Sequence, residues 1–137
     1  MKQPDDPEVA AWLGNATEDL RVAEILGPHA ATLSAAICFH CQQAAEKSLK
    51  AVFVALDLVP PRTHHLDTLL ASLLPQAASL AEVRESLTYL NGFAVLPRYP
   101  AFEGTGAEPV AKAARACEHA RLVERAVAAF LGPATGG

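Results

Sequence analysis

The strongest constraint on this chain is how its apolar residues are spaced and how proline and glycine interrupt them. Val9, Trp12, Leu13, Ala16, Leu20, Ala23 and Leu26 recur at intervals of three and four, the repeat of one face of an α-helix. Asp6-Pro7 opens that stretch with a cap residue and a proline at the first helical position, and Gly27-Pro28 closes it. A second helix is expected from about Ala31 to Leu56, on the order of 40 Å long. Its core stripe is Ile37, Cys41, Ala44, Ala45, Ser48, Leu49, Val52 and Leu56, with Phe39 and Phe53 off the stripe, toward its flank. Two aromatics there suggest a second apolar partner, either another helix or another subunit.

Pro60-Pro61 ends that helix, and Thr63 is placed to cap a short third helix reaching Leu74. Ser79 and Glu82 have capping-box spacing and open a fourth helix to about Leu96, with Leu80, Val83, Leu87, Leu90 and Ala94 on one side. Pro109 opens a fifth, ending at Gly132-Pro133, with Val110, Ala113, Ala114, Cys117, Ala120, Val123, Val127 and Phe130 as its stripe. No alternating β-period of useful length and no internal repeat occurs. The expected fold is an all-α, five-helix up-and-down bundle forming a single domain over 1–137, with its core at about 7–131 and a frayed tail at 132–137.

At 137 residues and 51% apolar, the chain is long enough for one buried core. No run of 18 consecutive apolar residues occurs, which argues against a membrane span, and the acidic, proline-interrupted start is wrong for a secretory signal. A cytoplasmic location is the default expectation. Eleven basic against fifteen acidic residues argue against bulk polyanion binding, leaving room for a local basic groove.

Cys38 and Cys41 have C-x-x-C spacing inside a helical run. Two sulfurs supply at most half of a tetrahedral zinc shell, and no second C-x-x-C or H-x3-H completes it. With Cys117 they read as buried, inert thiols. No phosphate-loop, dinucleotide, nucleophile-elbow or zinc-protease motif is present, and no cofactor is expected.

Three polar features remain. Pro97 and Pro100 stiffen the loop holding Arg98 and Tyr99, lowering the entropy cost of presenting a guanidinium to phosphate and a phenol to a base. Equally, Arg98 could cap the fourth helix while Tyr99 packs on the core. Arg62, His64 and His65 cluster at a helix start, where free N–H groups favour an anion, or the histidines merely satisfy local backbone groups. His40, Gln43, Lys47 and Lys50 form a ridge on the second helix, with Glu46 and Lys50 at i, i+4. Such a ridge is ordinarily solvated, and it becomes a groove only if the two loops meet it.

These stretches together resemble a known family. The first helix carries "A-x-x-D-L-x-x-A" at Ala16–Ala23. It is followed by "CQQAAEKSLKAV", then "PRTHHLDTLL", then "PRYP" before the last helix. In this order and separation the series resembles the small prokaryotic HEPN domain from about Ala10 to Leu131. The resemblance implies a five-helix bundle, usually a homodimer. It also implies nucleotide- or RNA-related work, often beside a separate minimal nucleotidyltransferase in a two-gene toxin–antitoxin-like unit. Ribonuclease members carry an arginine followed four to six residues later by a histidine. Here the next histidine after Arg98 is His119, so that pair is missing.

The expectation is therefore a non-catalytic nucleotide- or RNA-binding subunit. Arg98, Tyr99, Lys47, Arg62 and His64 are its phosphate- and base-contacting residues. The alternatives are a divergent metal-independent endoribonuclease using Arg98 and His64, and a pure protein-interaction module.

Overall fold

The structure is a computed structural model and describes residues 1–94 and 107–134. Among these residues it contains five α-helices and no strand: α1 Pro7–Leu26, α2 Ala30–Ala55, α3 Leu66–Leu73, α4 Arg84–Asn91 and α5 Ala107–Leu131. Short 3-10 turns, Gly27–His29 and Ala78–Val83, precede α2 and α4. The all-α helical architecture is the one the apolar spacing predicts.

The helix ends follow from local chemistry, with three departures from expectation. Asp6 caps α1 as anticipated, its Oδ1 accepting from the Glu8 and Val9 N–H groups at 3.0 and 3.4 Å. Gly27-Pro28 does not stop the chain but carries it through the 3-10 turn directly into α2. Thr63 caps nothing: its Oγ1 accepts from the His65 N–H at 3.1 Å, while the Leu66 N–H that opens α3 donates to Asn91 Oδ1 at 2.8 Å. A residue from the end of α4 thus fills the role expected of a neighbour. The Ser79/Glu82 spacing opens the 3-10 turn without a side-chain cap, and α4 ends at Asn91 rather than near Leu96.

α2 stops at a left-handed residue. Asp57 adopts φ 58°, and its N–H and that of Leu58 donate to the Val54 and Phe53 carbonyls at 3.1 and 2.8 Å. This paired arrangement satisfies carbonyls that the helix end leaves open, with aspartate where glycine is usual.

α2 is the central helix, packed chiefly on α1 and α5. Its expected stripe is buried, apart from a half-buried Leu56, and burial extends round the helix to Cys38, Gln42, Glu46, Ala51, Phe53 and Val54. Phe53, expected on the flank, is 1% exposed and belongs to the core, because the last turns of α2 are covered on all sides. Phe39 stays half-buried. On α5, Val110 and Ala114 are exposed although the spacing places them on the stripe.

The helical run Pro7–Ala55 meets a length-and-composition criterion for crossing a membrane, with a mean hydropathy of 1.4 in one 18-residue window. An unbroken apolar run is a stricter test than mean hydropathy, so the two readings differ. The run is not a straight rod: a 3-10 turn interrupts it, and Leu33 departs from helical geometry at φ −118°, ψ 20°. Its two helices pack against each other and supply much of the bundle core.

Candidate functional site

The polar residues of α2 are organised by two buried carboxylates. Asp19, on α1, falls three residues after Ala16 and four before Ala23, so it occupies the apolar stripe itself. It therefore points at α2 and needs partners there. Its Oδ2 accepts from Lys47 Nζ at 2.6 Å, and its Oδ1 meets His40 Nδ1 at 2.9 Å. Two residues of the ridge, His40 and Lys47, are thus gathered on one acid.

Glu46 is the second centre. It is 4% exposed and i+4 from the buried Gln42, on a face of α2 that looks toward the α2–α3 connection. Lys50 Nζ donates to its Oε2 at 2.9 Å, the i, i+4 pair expected from spacing, and also lies over the Trp12 ring at 5.6 Å. The Oε1 meets His64 Nδ1 at 2.8 Å. Burial alone would raise the Glu46 carboxyl, but the hydrogen bonds and charges of Lys50 and His64 outweigh it and hold the group below the ordinary carboxylate range. Gln42 adds a tether, donating from Nε2 to the His64 carbonyl at 3.2 Å and accepting from Gln43 Nε2 at 2.7 Å.

The connection before α3 is therefore fastened to the ridge through both the ring and the backbone of His64. Of the sequence candidates, Lys47 pairs with Asp19 and His64 with Glu46, two acid-centred clusters anchored on consecutive residues of α2, Glu46 and Lys47. The His64 side chain keeps 69% of its exposure, and Lys47 keeps 28%. Arg62 is exposed on the same connection. Arg98 and Tyr99 lie outside the described residues.

Sequence reasoning missed the organising role of Asp19 and Glu46. For Asp19 the signal was present: an acid placed on an apolar stripe must meet a cation or hydrogen-bond donor across the interface. His119, noted only as the next histidine after Arg98, pairs elsewhere. Its Nδ1 is 2.9 Å from the buried Ser86 Oγ on α4, and its ring packs on Tyr89 at 4.7 Å.

Chemically, Lys47 and Lys50 are each paired with a buried acid, Asp19 and Glu46, and the exposed His64 imidazole shares Glu46 with Lys50. Among the described residues, no group of three or more His, Cys, Asp or Glu side chains is placed to hold a metal ion.

Comparison with known proteins agrees with this architecture. No curated protein matches the sequence. Among solved structures, the chain is similar to the crystal structure of TT1696 from Thermus thermophilus, with a TM-score of 0.73 and 28% identity. The match covers 87% of this chain and 94% of that one. The HEPN domain model matches residues 9–129, nearly the whole sequence, and supports a nucleotide- or RNA-related function in general. The chain belongs to the HEPN domain family.

Proposed function

We propose that this HEPN-family chain is a non-catalytic subunit that binds a nucleotide or RNA through the cationic rim of α2 and the α2–α3 connection. The observation that carries the reading is the His64–Glu46 contact of 2.8 Å, which fastens the loop bearing Arg62 and His64 against the lysine ridge. Lys47 and Arg62 contact phosphate oxygens, and His64 completes the polar rim. Arg98 supplies a further guanidinium to phosphate, and Tyr99 stacks on a base or orients Arg98. The working form is a homodimer, and a separate minimal nucleotidyltransferase is its partner in a two-gene toxin–antitoxin-like unit. Exposed Ile25, Leu33 and Val110 offer apolar surface for a second subunit.

The test is a titration of the purified protein with ATP, GTP and short RNAs, repeated on Lys47→Ala, Arg62→Ala and Arg98→Ala. Each substitution is expected to weaken binding about five- to tenfold, the effect of one charge-assisted contact. Absence of binding to all of these, or affinities indifferent to all three changes, refutes the reading. An adjacent reading frame for a short nucleotidyltransferase supports the two-component role.

One observation favours a second reading, a divergent endoribonuclease. Glu46 holds the His64 ring by Nδ1 while the side chain remains 69% exposed, the arrangement of an oriented general base. That reading requires RNA cleavage without added metal, 2′,3′-cyclic phosphate ends, and loss of cleavage in both His64→Ala and Arg98→Ala. Intact RNA at high protein concentration removes it.

A further inference from the structure

The three cysteines are buried thiols, but they are not equivalent. The C-x-x-C spacing pairs Cys38 with Cys41 on paper, yet the Cys41 thiol donates across the helix interface to Cys117 Sγ at 3.6 Å. Cys41 on α2 and Cys117 on α5 are separated by 76 residues in sequence. Cys41 is 0% exposed, whereas Cys117 is 7% exposed and lines an open cleft of about 290 Å³. Arg121, one turn further along α5, lines the same cleft, together with Glu24 at the end of α1. Arg121 Nε donates to Glu24 Oε1 at 3.4 Å.

We propose that Cys117 and Cys41 form a peroxide-sensing dithiol, in which Cys117 is the peroxidatic sulfur and Cys41 the resolving one, yielding an α2–α5 disulfide. Access assigns the roles: only Cys117 opens on a cleft that a small oxidant can enter. The guanidinium of Arg121 favours negative charge there. The hydrogen bond from Cys41 brings the Cys117 thiol down to about 7 against the opposing effect of burial, with Arg121 assisting and Glu24 opposing. The same contact and burial push Cys41 up, keeping it a protonated thiol that waits for an electrophile.

The chemistry balances with hydrogen peroxide as the two-electron oxidant. The Cys117 thiolate attacks one peroxide oxygen, the O–O bond breaks, and Cys117 sulfenic acid forms as hydroxide leaves. The Cys41 sulfur then attacks the sulfenic sulfur. An S–S bond forms, the S–O bond breaks, and hydroxide leaves with the thiol proton as water. In sum, two thiols and one peroxide give one disulfide and two waters. Closing the sulfurs from 3.6 Å to about 2.0 Å requires a small approach of two helices. Ala44 and Ala45 next to Cys41, and Ala113, Ala116 and Ala120 near Cys117, are buried residues with small side chains, so no bulky group on these stretches opposes that approach. A dithiol reductant reverses the bond by exchange.

The proposal does not depend on the nucleotide reading. Its test treats the folded full-length protein with hydrogen peroxide, blocks remaining thiols with N-ethylmaleimide, and analyses the trypsin digest unreduced. The expected outcome is loss of two of the three thiols and a cross-link between the peptides 22–47 and 116–121. Cys38→Ser keeps the cross-link, and Cys41→Ser stops at a Cys117 sulfenic acid that dimedone traps. A disulfide confined to peptide 22–47, oxidation of Cys117 only to sulfinic or sulfonic acid in the unsubstituted chain, or three surviving thiols each overturn the proposal. The unsubstituted protein supplies the deciding measurement, so a variant that folds poorly does not obscure it.

Discussion

The imidazole of His64 and the carboxylate of Glu46 meet at 2.8 Å across the break between α2 and α3, although 18 residues separate them in sequence. Glu46 is almost fully buried while the His64 side chain is 69% exposed, so the contact runs from the core to the surface. It anchors a proline-containing connection that has little regular structure of its own and that carries the exposed Arg62.

Removing this anchor should cost stability. In Glu46→Ala, Lys50 and His64 lose their shared acceptor, but both keep access to water. The loss is therefore about 2–3 kcal/mol, below that for breaking a fully enclosed pair. Urea unfolding of the variant against the unsubstituted chain measures it, and a change under about 0.5 kcal/mol would mean that the pair is merely a surface contact.

Acidification tests the same group. Because the Glu46 carboxyl is lower in the folded chain than its ordinary value of 4.5, the folded state binds fewer protons at this position than the unfolded state. Its stabilisation is complete above pH 4.5 and is lost as pH falls through the folded value. The difference in melting temperature between the unsubstituted protein and Glu46→Gln should accordingly shrink below that pH. A gap that stays constant into strong acid contradicts the assignment.

Asp19 offers an opposite-sign experiment. Asp19→Asn keeps the shape of the side chain but removes the negative charge facing Lys47 and His40, at distances of 2.6 and 2.9 Å. Stability should fall by about 1–2 kcal/mol. If the ridge binds anions, affinity for them should rise about threefold to tenfold, because Lys47 is no longer neutralised by a neighbour. Isothermal titration decides this, and a fall in affinity would show that Asp19 positions Lys47 more than it competes with ligand.

The cap of α3 predicts a non-local effect. Asn91→Ala deletes the acceptor for the Leu66 N–H, a bond of 2.8 Å. The expected cost is about 1 kcal/mol, typical of losing an N-terminal cap. Thr63→Ala, by contrast, should leave α3 nearly unaffected, since its hydroxyl accepts from the His65 N–H and not from the Leu66 N–H that opens the helix. Equal losses in the two variants would restore Thr63 as the cap.

Phe53→Ala distinguishes core from flank. With the ring 1% exposed, truncation leaves a cavity and costs about 3–5 kcal/mol, a large share of a small domain's stability. Thermal unfolding reads it directly. A loss under about 1 kcal/mol would mean that the ring is not part of the packed core.

Periodicity alone located the helices, and the order of short motifs alone identified the family. Both are local signals: a helix repeats its face every three or four residues, and Asp6 caps through the N–H groups of the next two or three. The boundaries that local patterns misplaced are those governed by distant groups. Asn91 opens α3 from 25 residues away, and complete enclosure at the end of α2 draws in Phe53. The candidate residues Lys47, Arg62 and His64 were visible as types, but their partners were not. Asp19 meets Lys47 across 28 positions and Cys41 meets Cys117 across 76, separations that helix packing alone closes. The chain's spacing dictated which faces would be buried, whereas the docking of α1, α2 and α5 settled which charges and sulfurs would meet, because a side chain's partner is fixed by the neighbouring helix and not by adjacent letters.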